Sequence, residues 1–290
     1  MIQDFTYLRP GNVQEALGML AQYQDSAKII CGGQSLLIIM RQGLVVTDYI
    51  VDIKGLSELD YLTYDARSGL AIGATTTHRT IEKSPLLKEK YSVLVAMEEK
   101  LASIQVRNWG TIGGNLAHAD AAGDPAPVLI ALNATVTIGS NAGKRSVPLE
   151  EFYTGLFETV LSPEEMVTEV LVPPPAAKTA AAYQKFNLLE SDQGIVAVAV
   201  SLSVNGEGLC TEARIVLGNA AAVPLRAKNT ERLLIGNKLN EELFKQAGET
   251  AGAEADPVAD IHASEDYRRH LIAVLTGRVT KEAWEQASQA

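Results

Sequence analysis

Three consecutive prolines, Pro173-Pro174-Pro175, constrain the fold of this 290-residue chain more than any other feature. Proline fixes φ and has no N–H to donate, so a run of prolines cannot continue a helix or a central strand. The run therefore predicts a domain boundary near residue 174. The length of the chain agrees with more than one domain, because a single domain usually holds about 100 to 200 residues.

The chain before this boundary changes character near residue 55. Residues 1–55 combine a helical pattern with short apolar strands, which is typical of a small α/β unit. The helical pattern begins after Asn12, a good N-cap, and strands are predicted at 28–31 and 49–53.

Residues 56–174 indicate a mostly antiparallel sheet with helices on one side. Short strand patterns flank turn-rich links and a hairpin signal at Asn141-Ala142-Gly143, and a helix is predicted to follow Ser84-Pro85. The predicted strands are 61–64, 69–75, 134–138 and 145–147, and the predicted helix is 86–102.

Residues 175–290 predict a small domain made of a three-stranded sheet and helices. Residues 195–204 and 209–217 have strand patterns, and Asn205-Gly206 between them is typical of a two-residue hairpin turn. Helices are predicted at 226–236, 240–251 and 264–276. The whole chain is therefore predicted to be an α+β protein in three parts, which are 1–55, 56–174 and 175–290.

The charge and composition exclude several classes of protein. A net charge of −10, with no run of Lys or Arg, argues against nucleic-acid binding. The first residues lack the pattern of a signal peptide, and no apolar stretch reaches the about 18 residues that a membrane span needs. The two cysteines, Cys31 and Cys210, are too few for a four-thiolate iron–sulfur or zinc site. We therefore expect a cytoplasmic protein without a bound metal.

Two glycine pairs follow apolar segments and precede polar residues. We call residues 30–37, which contain Gly32-Gly33, the first glycine loop, and residues 111–115, which contain Gly113-Gly114, the second glycine loop. Glycine permits a positive φ and a close approach of the backbone to a ligand, so consecutive N–H groups can converge on phosphate oxygens. Ser35, Thr111 and Asn115 add hydroxyl and amide groups. Two such loops facing each other would suit a diphosphate.

Neither glycine loop matches a common nucleotide fingerprint. The three spaced glycines of the dinucleotide motif are missing, and no Gly-Lys-Ser/Thr follows either pair. A standard Rossmann site or P-loop is therefore not predicted. Either pair taken alone is also explained by a tight turn at the end of a strand.

The order of several short segments resembles the FAD-binding subunit of the xanthine dehydrogenase and carbon monoxide dehydrogenase family, the molybdenum hydroxylases. The segments are the two glycine loops, Gln105-Val106-Arg107-Asn108, residues 117–124, Tyr183-Gln184-Lys185-Phe186 and Tyr267-Arg268-Arg269-His270-Leu271. The resemblance extends over essentially the whole chain. It implies a two-part FAD-binding domain of the PCMH/vanillyl-alcohol-oxidase type, followed by a small C-terminal domain of sheet and helices.

The resemblance implies FAD as the cofactor and assigns its contacts. Asp124 would accept ribose or ribityl hydroxyls, although a helix N-cap ahead of Pro125 is the alternative. Lys185 would be a cation near the flavin ring, although an exposed strand lysine is the alternative. Ser103 and Leu161 match positions near the cofactor. The implied contacts are Ile30, Cys31, Gly32, Gly33, Gln34, Ser35, Leu36, Leu37, Ser103, Thr111, Ile112, Gly113, Gly114, Asn115, Asp124, Leu161 and Lys185, with no catalytic residue and no metal ligand.

Several positions depart from the family pattern or keep two interpretations. Residues 120–124 read Asp-Ala-Ala-Gly-Asp where relatives have Asp-Pro-Ala-Ser-Asp, so a serine hydroxyl is missing. Gln193 stands where an aromatic residue is frequent, and it cannot stack on a flavin as an aromatic ring does. Trp109 is expected in the core, at the rim of the site or against adenine. Arg107 either supports the loop or faces a phosphate.

The resemblance implies an electron-relay subunit. Flavin accepts one or two electrons, so FAD would couple the one-electron clusters of a partner to a two-electron acceptor. The implied partners are separate chains, a [2Fe-2S] small subunit and a molybdopterin-binding large subunit, together with an external acceptor. Two alternatives stay open. One is a self-sufficient flavin enzyme, for which His118 and Tyr183 are the candidate acid/base residues, and the other is a subunit that has lost its flavin.

Overall fold

The computed structural model describes residues 2–289. Its strands are β1 (Thr6–Leu8), β2 (Ala27–Ile30), β3 (Tyr49–Asp52), β4 (Leu62–Asp65), β5 (Gly69–Gly73), β6 (Thr135–Ser140), β7 (Gly143–Pro148), β8 (Tyr153–Gly155), β9 (Glu158–Thr159), β10 (Met166–Val172), β11 (Thr179–Phe186), β12 (Val196–Val204), β13 (Cys210–Gly218) and β14 (Leu225–Arg226). Its helices are α1 (Val13–Tyr23), α2 (Leu36–Arg41), α3 (His78–Lys83), α4 (Pro85–Lys90), α5 (Ser92–Lys100), α6 (Ile104–Trp109), α7 (Ile112–His118), α8 (Pro125–Ala131), α9 (Lys228–Leu234), α10 (Glu241–Glu254) and α11 (Glu265–Gln289).

The first sheet is parallel and small. Its strand order is β1-β3-β2, and α1 covers it with the apolar side chains of Ala16, Leu17 and Leu20. The predicted N-cap is confirmed, because Asn12 Oδ1 accepts a hydrogen bond of 2.8 Å from the N–H of Glu15. Since β2 leads directly into residues 31–35, this sheet fixes the position of the first glycine loop.

The second sheet is antiparallel and has the order β4-β5-β10-β6-β7. Helices α3 to α8 precede β6 in the chain, and the sheet shares one large apolar core with them. The predicted helix 86–102 is wrong in one respect, because it is two helices that meet at Tyr91. This residue has non-helical angles (φ −141°, ψ 55°), and its buried hydroxyl donates a hydrogen bond of 3.0 Å to the carbonyl of Pro173.

The third sheet is antiparallel with the order β11-β12-β13-β14, and α10 and α11 share its core. The structure adds the two-residue strand β14 to the three predicted strands. The Asn205-Gly206 prediction was too short, because the connection between β12 and β13 runs over residues 205–209. The side chain of Asn205 accepts hydrogen bonds from the N–H groups of Glu207 and Leu209, which stabilises this longer turn. Helix α11 continues well past the predicted end at 276.

The C-terminal sheet packs on the central part of the chain. Gly218 of β13 lies against Pro127 of α8 so closely that a Cβ at Gly218 would lie 2.9 Å from the proline Cγ. The observed architecture confirms the predicted α+β class. The ends of β2, the start of α7, the residues before α8 and the end of β11 all face the same cavity.

Candidate functional site

A cavity of about 510 Å³ lies between the parallel sheet, the five-stranded sheet and the four-stranded C-terminal sheet. This volume falls within the about 300 to 1,000 Å³ typical of cofactor and ligand sites. Both glycine loops line it, as do residues 117–124, Lys185 and residues 191–193. Segments far apart in the sequence therefore build one site.

The first glycine loop offers a row of free N–H groups. Within residues 2–289, none of the backbone N–H groups from Gly32 to Leu36 donates a hydrogen bond to another protein group. Gly33 has φ +69°, a left-handed conformation that turns the chain from β2 into α2. Unpaired N–H groups in succession are a concave donor surface suited to phosphate oxygens.

The second glycine loop differs from the prediction. Its N–H groups are already used inside the protein: Ile112 donates to the carbonyl of Thr76, Gly113 to that of Ala74, Gly114 to Thr111 Oγ1 and Asn115 to the carbonyl of Thr111. Glycine is required here for packing, since a Cβ on Gly113 would lie 2.6 Å from the Ala74 Cβ. This loop therefore presents side chains to the cavity, and its N–H groups serve the fold.

The first glycine loop contacts the residues just before the second glycine loop at a point where only glycine fits. A Cβ on Gly32 would lie 2.3 Å from the carbonyl oxygen of Trp109 and 2.8 Å from the Cα of Gly110. Real Cβ atoms do not approach backbone atoms this closely. Gly32 thus allows the end of β2 to pack directly on the segment that leads into the second glycine loop.

The predicted ligand Asp124 joins the central part of the chain to the C-terminal sheet. Its carboxylate accepts hydrogen bonds from the Tyr183 hydroxyl at 2.5 Å and from Lys185 Nζ at 2.8 Å, and all three side chains are buried. Burial raises the pKa of Asp124, and the Lys185 ammonium opposes this effect. Asp124 occupies the N-cap position ahead of α8, as the alternative interpretation expected, but its side chain makes no capping hydrogen bond within residues 2–289.

Lys185 is not the exposed strand lysine of the alternative interpretation. Only 2% of its side chain is exposed, and Nζ also donates a hydrogen bond of 3.2 Å to the carbonyl of Asp192. A second link crosses the cavity mouth, where Gln193 Nε2 donates to Asp120 Oδ2 at 2.8 Å. Residues 187–194 are therefore tied to the central part of the chain at the cavity.

The structure brings most of the predicted contact residues together, and their role toward FAD stays a prediction. Those that line the cavity are Cys31, Gly32, Gly33, Gln34, Ser35, Leu36, Thr111, Gly113, Gly114, Asn115, Asp124, Leu161 and Lys185. Ile30 and Leu37 instead line a shallower groove behind the first glycine loop. Ser103 is the N-cap of α6, and the Ile112 side chain is buried in the core. Ser103 and Ile112 are not among the described residues that line the cavity, and their contact with FAD stays a prediction.

The structure bears on the interpretations that the sequence left open for Arg107 and Trp109. Arg107 supports the structure, because its buried guanidinium donates to Glu82 and to the carbonyls of Leu101 and Ala102 at 2.6 to 2.9 Å. Trp109 is not a core residue, because 54% of its surface is exposed, and Lys54 Nζ lies 3.1 Å from the centre of its ring. Its position at the rim of the site or against adenine stays a prediction.

Sequence reasoning missed a buried pair behind the second glycine loop. His78 lines the cavity, and its Nδ1 lies 3.0 Å from Oε1 of Glu98, whose side chain is completely buried. A signal for Glu98 was present, because it lies at helical spacing with the core residues Leu94, Met97 and Leu101. A carboxylate on the apolar face of a helix is expected to have a charged or hydrogen-bonding partner, because a buried unpaired charge is costly.

Comparison with known proteins agrees with this geometry. The sequence pattern of the family described as "FAD binding domain in molybdopterin dehydrogenase" matches residues 3–175, more than half of the chain. The chain belongs to this family. The pattern described as "CO dehydrogenase flavoprotein C-terminal domain" matches residues 181–283. FAD is thus the cofactor of this oxidoreductase subunit, and the residues of the cavity fit it.

Several curated and solved proteins resemble this chain over nearly its whole length. The glyceraldehyde dehydrogenase medium chain of Sulfolobus acidocaldarius is 34% identical over 280 residues, which are 96% of this chain and 98% of the relative. The nicotine 6-hydroxylase medium subunit of Paenarthrobacter nicotinovorans is 33% identical over 277 residues, 96% of each chain. A solved structure of carbon monoxide dehydrogenase from Hydrogenophaga pseudoflava superposes with a TM-score of 0.95 at 31% identity, covering 99% of both chains.

In residues 2–289, no group of three or more His, Cys, Asp or Glu side chains is placed to hold a metal ion. Over the same residues, no helix combines the length and the apolar character needed to cross a membrane.

Proposed function

We propose that this chain holds FAD in the cavity between the two glycine loops, takes electrons from a [2Fe-2S] small subunit and passes them to an external acceptor. A molybdopterin-binding large subunit oxidises the substrate in this arrangement. The observation that carries the cofactor part is the row of unpaired N–H groups from Gly32 to Leu36, which opens into the same cavity as Asp124 and Lys185.

Different residues of the cavity would contact different parts of FAD. The first glycine loop would bind the diphosphate through its N–H groups, and Asn115 of the second loop would add a side-chain amide. Lys185 supplies a positive charge that Asp124 holds in place. When bound, FAD supplies a carrier that exchanges either one or two electrons. This chain orients the cofactor and sets its electrostatic surroundings.

The relay role is supported by the names of the relatives. Three proteins of similar sequence or structure are named for glyceraldehyde, nicotine and carbon monoxide, which share no chemical group that one pocket would recognise. Substrate choice therefore belongs to another chain. The two sequence relatives are called medium chain and medium subunit, which supports assembly with separate smaller and larger chains.

The electron source must lie outside this chain. The two cysteines stand far apart in the sequence, one in the first glycine loop and one on β13, and neither has a metal-binding neighbourhood in the described residues. A thiolate-bound cluster needs four ligands, so it would come from a partner. We also propose a cytoplasmic location and the three-part division 1–55, 56–174 and 175–290.

A self-sufficient flavin enzyme is less well supported. Its candidate Tyr183 is buried, and its hydroxyl is already engaged with Asp124, which together raise the pKa of Tyr183 well above its usual value. The other candidate, His118, packs against the ring of Phe157 at the cavity edge, and burial lowers its pKa. Neither residue is paired with a second group in a way that suits proton abstraction from a substrate.

The test is to produce the full chain alone and together with the chains encoded beside it. We expect FAD to be bound, iron and molybdenum to be found only in the co-purified complex, and the FAD of the complex to be reduced when the molybdenum chain receives substrate. The chain without its partners should bind FAD yet oxidise nothing. Substrate oxidation by the isolated chain, or a complex in which FAD stays oxidised while its iron is reduced, would contradict the relay role.

A further inference from the structure

The buried pair of His78 and Glu98 is incompletely satisfied. Glu98 Oε1 faces His78 Nδ1 at 3.0 Å, but the buried Glu98 Oε2 has no hydrogen-bond partner among residues 2–289. An ionised carboxylate left in this condition is costly, so burial raises the pKa of Glu98 above its ordinary value. The free-energy cost of the ionised carboxylate therefore favours an additional proton on the pair.

The pair lies directly behind the point where the first glycine loop contacts the residues just before the second glycine loop. The N–H of His78 donates to the carbonyl of Gly110 at 3.0 Å. The imidazole edge that carries Nε2 packs on the same glycine, since a Cβ there would lie 3.0 Å from Cδ2 and 3.7 Å from Nε2. Gly110 in turn contacts Gly32 of the N–H row, and His78 itself lines the cavity.

The protonation state of the pair decides what His78 presents to the cavity. When Glu98 is ionised and His78 is neutral, their hydrogen bond requires the imidazole hydrogen on Nδ1, so Nε2 is a bare acceptor. One further proton on the pair changes Nε2 from an acceptor to a donor. If it resides on Glu98, the carboxyl donates to Nδ1 and the hydrogen moves to Nε2, and if it resides on His78, both nitrogens carry hydrogen. In either case Nε2–H becomes a donor.

The other charged groups near His78 are already in ion pairs. The charge in this region that can still change is therefore the proton on the His78–Glu98 pair. Arg107 on α6 is paired with Glu82 on α3, and Asp124 before α8 is paired with Lys185. Glu98 on α5 is the carboxylate in contact with His78. Arg107, Asp124 and His78 all act electrostatically on Glu98, so a new negative charge in the cavity is expected to be felt by the pair.

We propose that His78 and Glu98 form a proton-binding pair that takes up one proton when the anionic diphosphate of FAD enters the cavity. The balance is simple: one proton moves from solvent to the pair, no bond of FAD is broken, and no electron is transferred. The proposal rests on FAD binding as proposed above. It makes His78 a residue that presents Nε2–H to FAD, with Glu98 as the residue that positions its imidazole.

Proton uptake on binding makes affinity depend on pH with a fixed sign. The bound state prefers the extra proton, so FAD affinity must rise as pH falls through the range in which the free pair gives it up. The steepest expected dependence is about tenfold in Kd per pH unit for one proton. We would measure Kd by titration of the full chain with FAD between pH 6 and 9, and proton uptake from binding heats in buffers of different ionisation enthalpy.

Substitutions separate this pair from other groups. In Glu98→Gln the side chain is neutral and cannot take up a proton, and its amide can either donate to Nδ1 or accept from it, so we expect the proton uptake to be lost and the affinity for FAD to vary little with pH. His78→Gln should also lose the uptake, but with weaker binding. His118→Gln, which changes the other histidine of the cavity, is the matched control and should keep the full uptake.

A readout on the unmodified chain guards against variants that fail to fold. The ¹⁵N resonance of His78 Nε2 should change from an unprotonated to a protonated value when FAD is added near the alkaline end of the range. An unchanged resonance, binding without proton uptake, or loss of uptake in His118→Gln would each overturn the proposal. If the chain alone does not bind FAD, the same titrations are made on the assembled complex after removal of its FAD. Failure of both to bind would refute the proposed function instead.

Discussion

Replacement of Gly32 by alanine tests whether the contact of the first glycine loop with the residues just before the second glycine loop is needed for FAD binding. The new Cβ would lie 2.3 Å from the Trp109 carbonyl oxygen, with two more backbone atoms within 3 Å, and backbone cannot rotate away as a side chain can. Forcing a methyl group into such a place costs about 1 to 3 kcal/mol. The first glycine loop can avoid this cost by moving, because no N–H group from Gly32 to Leu36 holds it in place within residues 2–289.

The steric cost of the alanine methyl group is therefore expected to weaken FAD binding more than it lowers the free energy of unfolding. To bind FAD, the displaced loop must return to the arrangement that brings its N–H groups into the cavity. Since about 1.4 kcal/mol corresponds to a tenfold change in Kd, the expected loss of affinity in Gly32→Ala is about 5- to 150-fold. The assay is a fluorescence titration with FAD, combined with urea unfolding to measure the stability of the variant separately.

Gly55→Ala is the matched control for this substitution. Gly55 lies in the loop that follows the first parallel sheet, and a Cβ there would meet nothing within 4 Å. We expect its Kd for FAD to equal that of the wild type. A folded Gly32→Ala variant with unchanged Kd would refute the reasoning, because this contact of the first glycine loop would then be irrelevant to binding.

Three other predictions follow from single contacts. Asp124→Asn leaves the Lys185 ammonium buried without a counter-charge, so urea unfolding should show a loss of about 3 to 5 kcal/mol; a loss below 1 kcal/mol would mean that the pair is solvated. Arg145 holds the pKa of Glu165 at about 2, so Glu165→Gln should destabilise the chain by about 1 to 2 kcal/mol above pH 5, with the difference disappearing as the pH falls toward 2. Cys31 lines the cavity, so saturating FAD should slow its reaction with a thiol reagent at least about tenfold, and equal rates with and without FAD would place FAD elsewhere.

Much of the fold was predictable because the local signals agree with the tertiary structure. The helix N-cap at Asn12, the hairpin around residues 141–142 and the interruption by the prolines each depend on a few adjacent residues. The break at Tyr91 was not predictable in this way. It depends on a hydrogen bond to Pro173, a residue that only the folded sheet brings close.

The candidate site shows the same division. The glycine pairs were visible in the sequence, but the sequence does not reveal which acceptors their N–H groups find. Within residues 2–289, the N–H groups from Gly32 to Leu36 of the first glycine loop donate to no protein group, whereas those of the second loop bind carbonyl and hydroxyl oxygens of residues 74–76 and 111. Glu98 was visible as a carboxylate at core spacing, yet its partner His78 follows three threonines without any distinguishing pattern. Local sequence patterns therefore do not reveal hydrogen-bond partners that are distant in the sequence.

The position of Lys185 on β11 has a consequence for how the protein acquires its cofactor during synthesis. Helix α11, which comes after every other element described, packs on β11 and β12 and buries Arg268 against the carbonyl of Ile195. The cavity wall that carries Lys185 therefore lacks its support until that helix has left the ribosome. We expect nascent chains to be unable to retain FAD until helix α11 has packed on β11 and β12, so stable cofactor binding reports completion of this part of the fold.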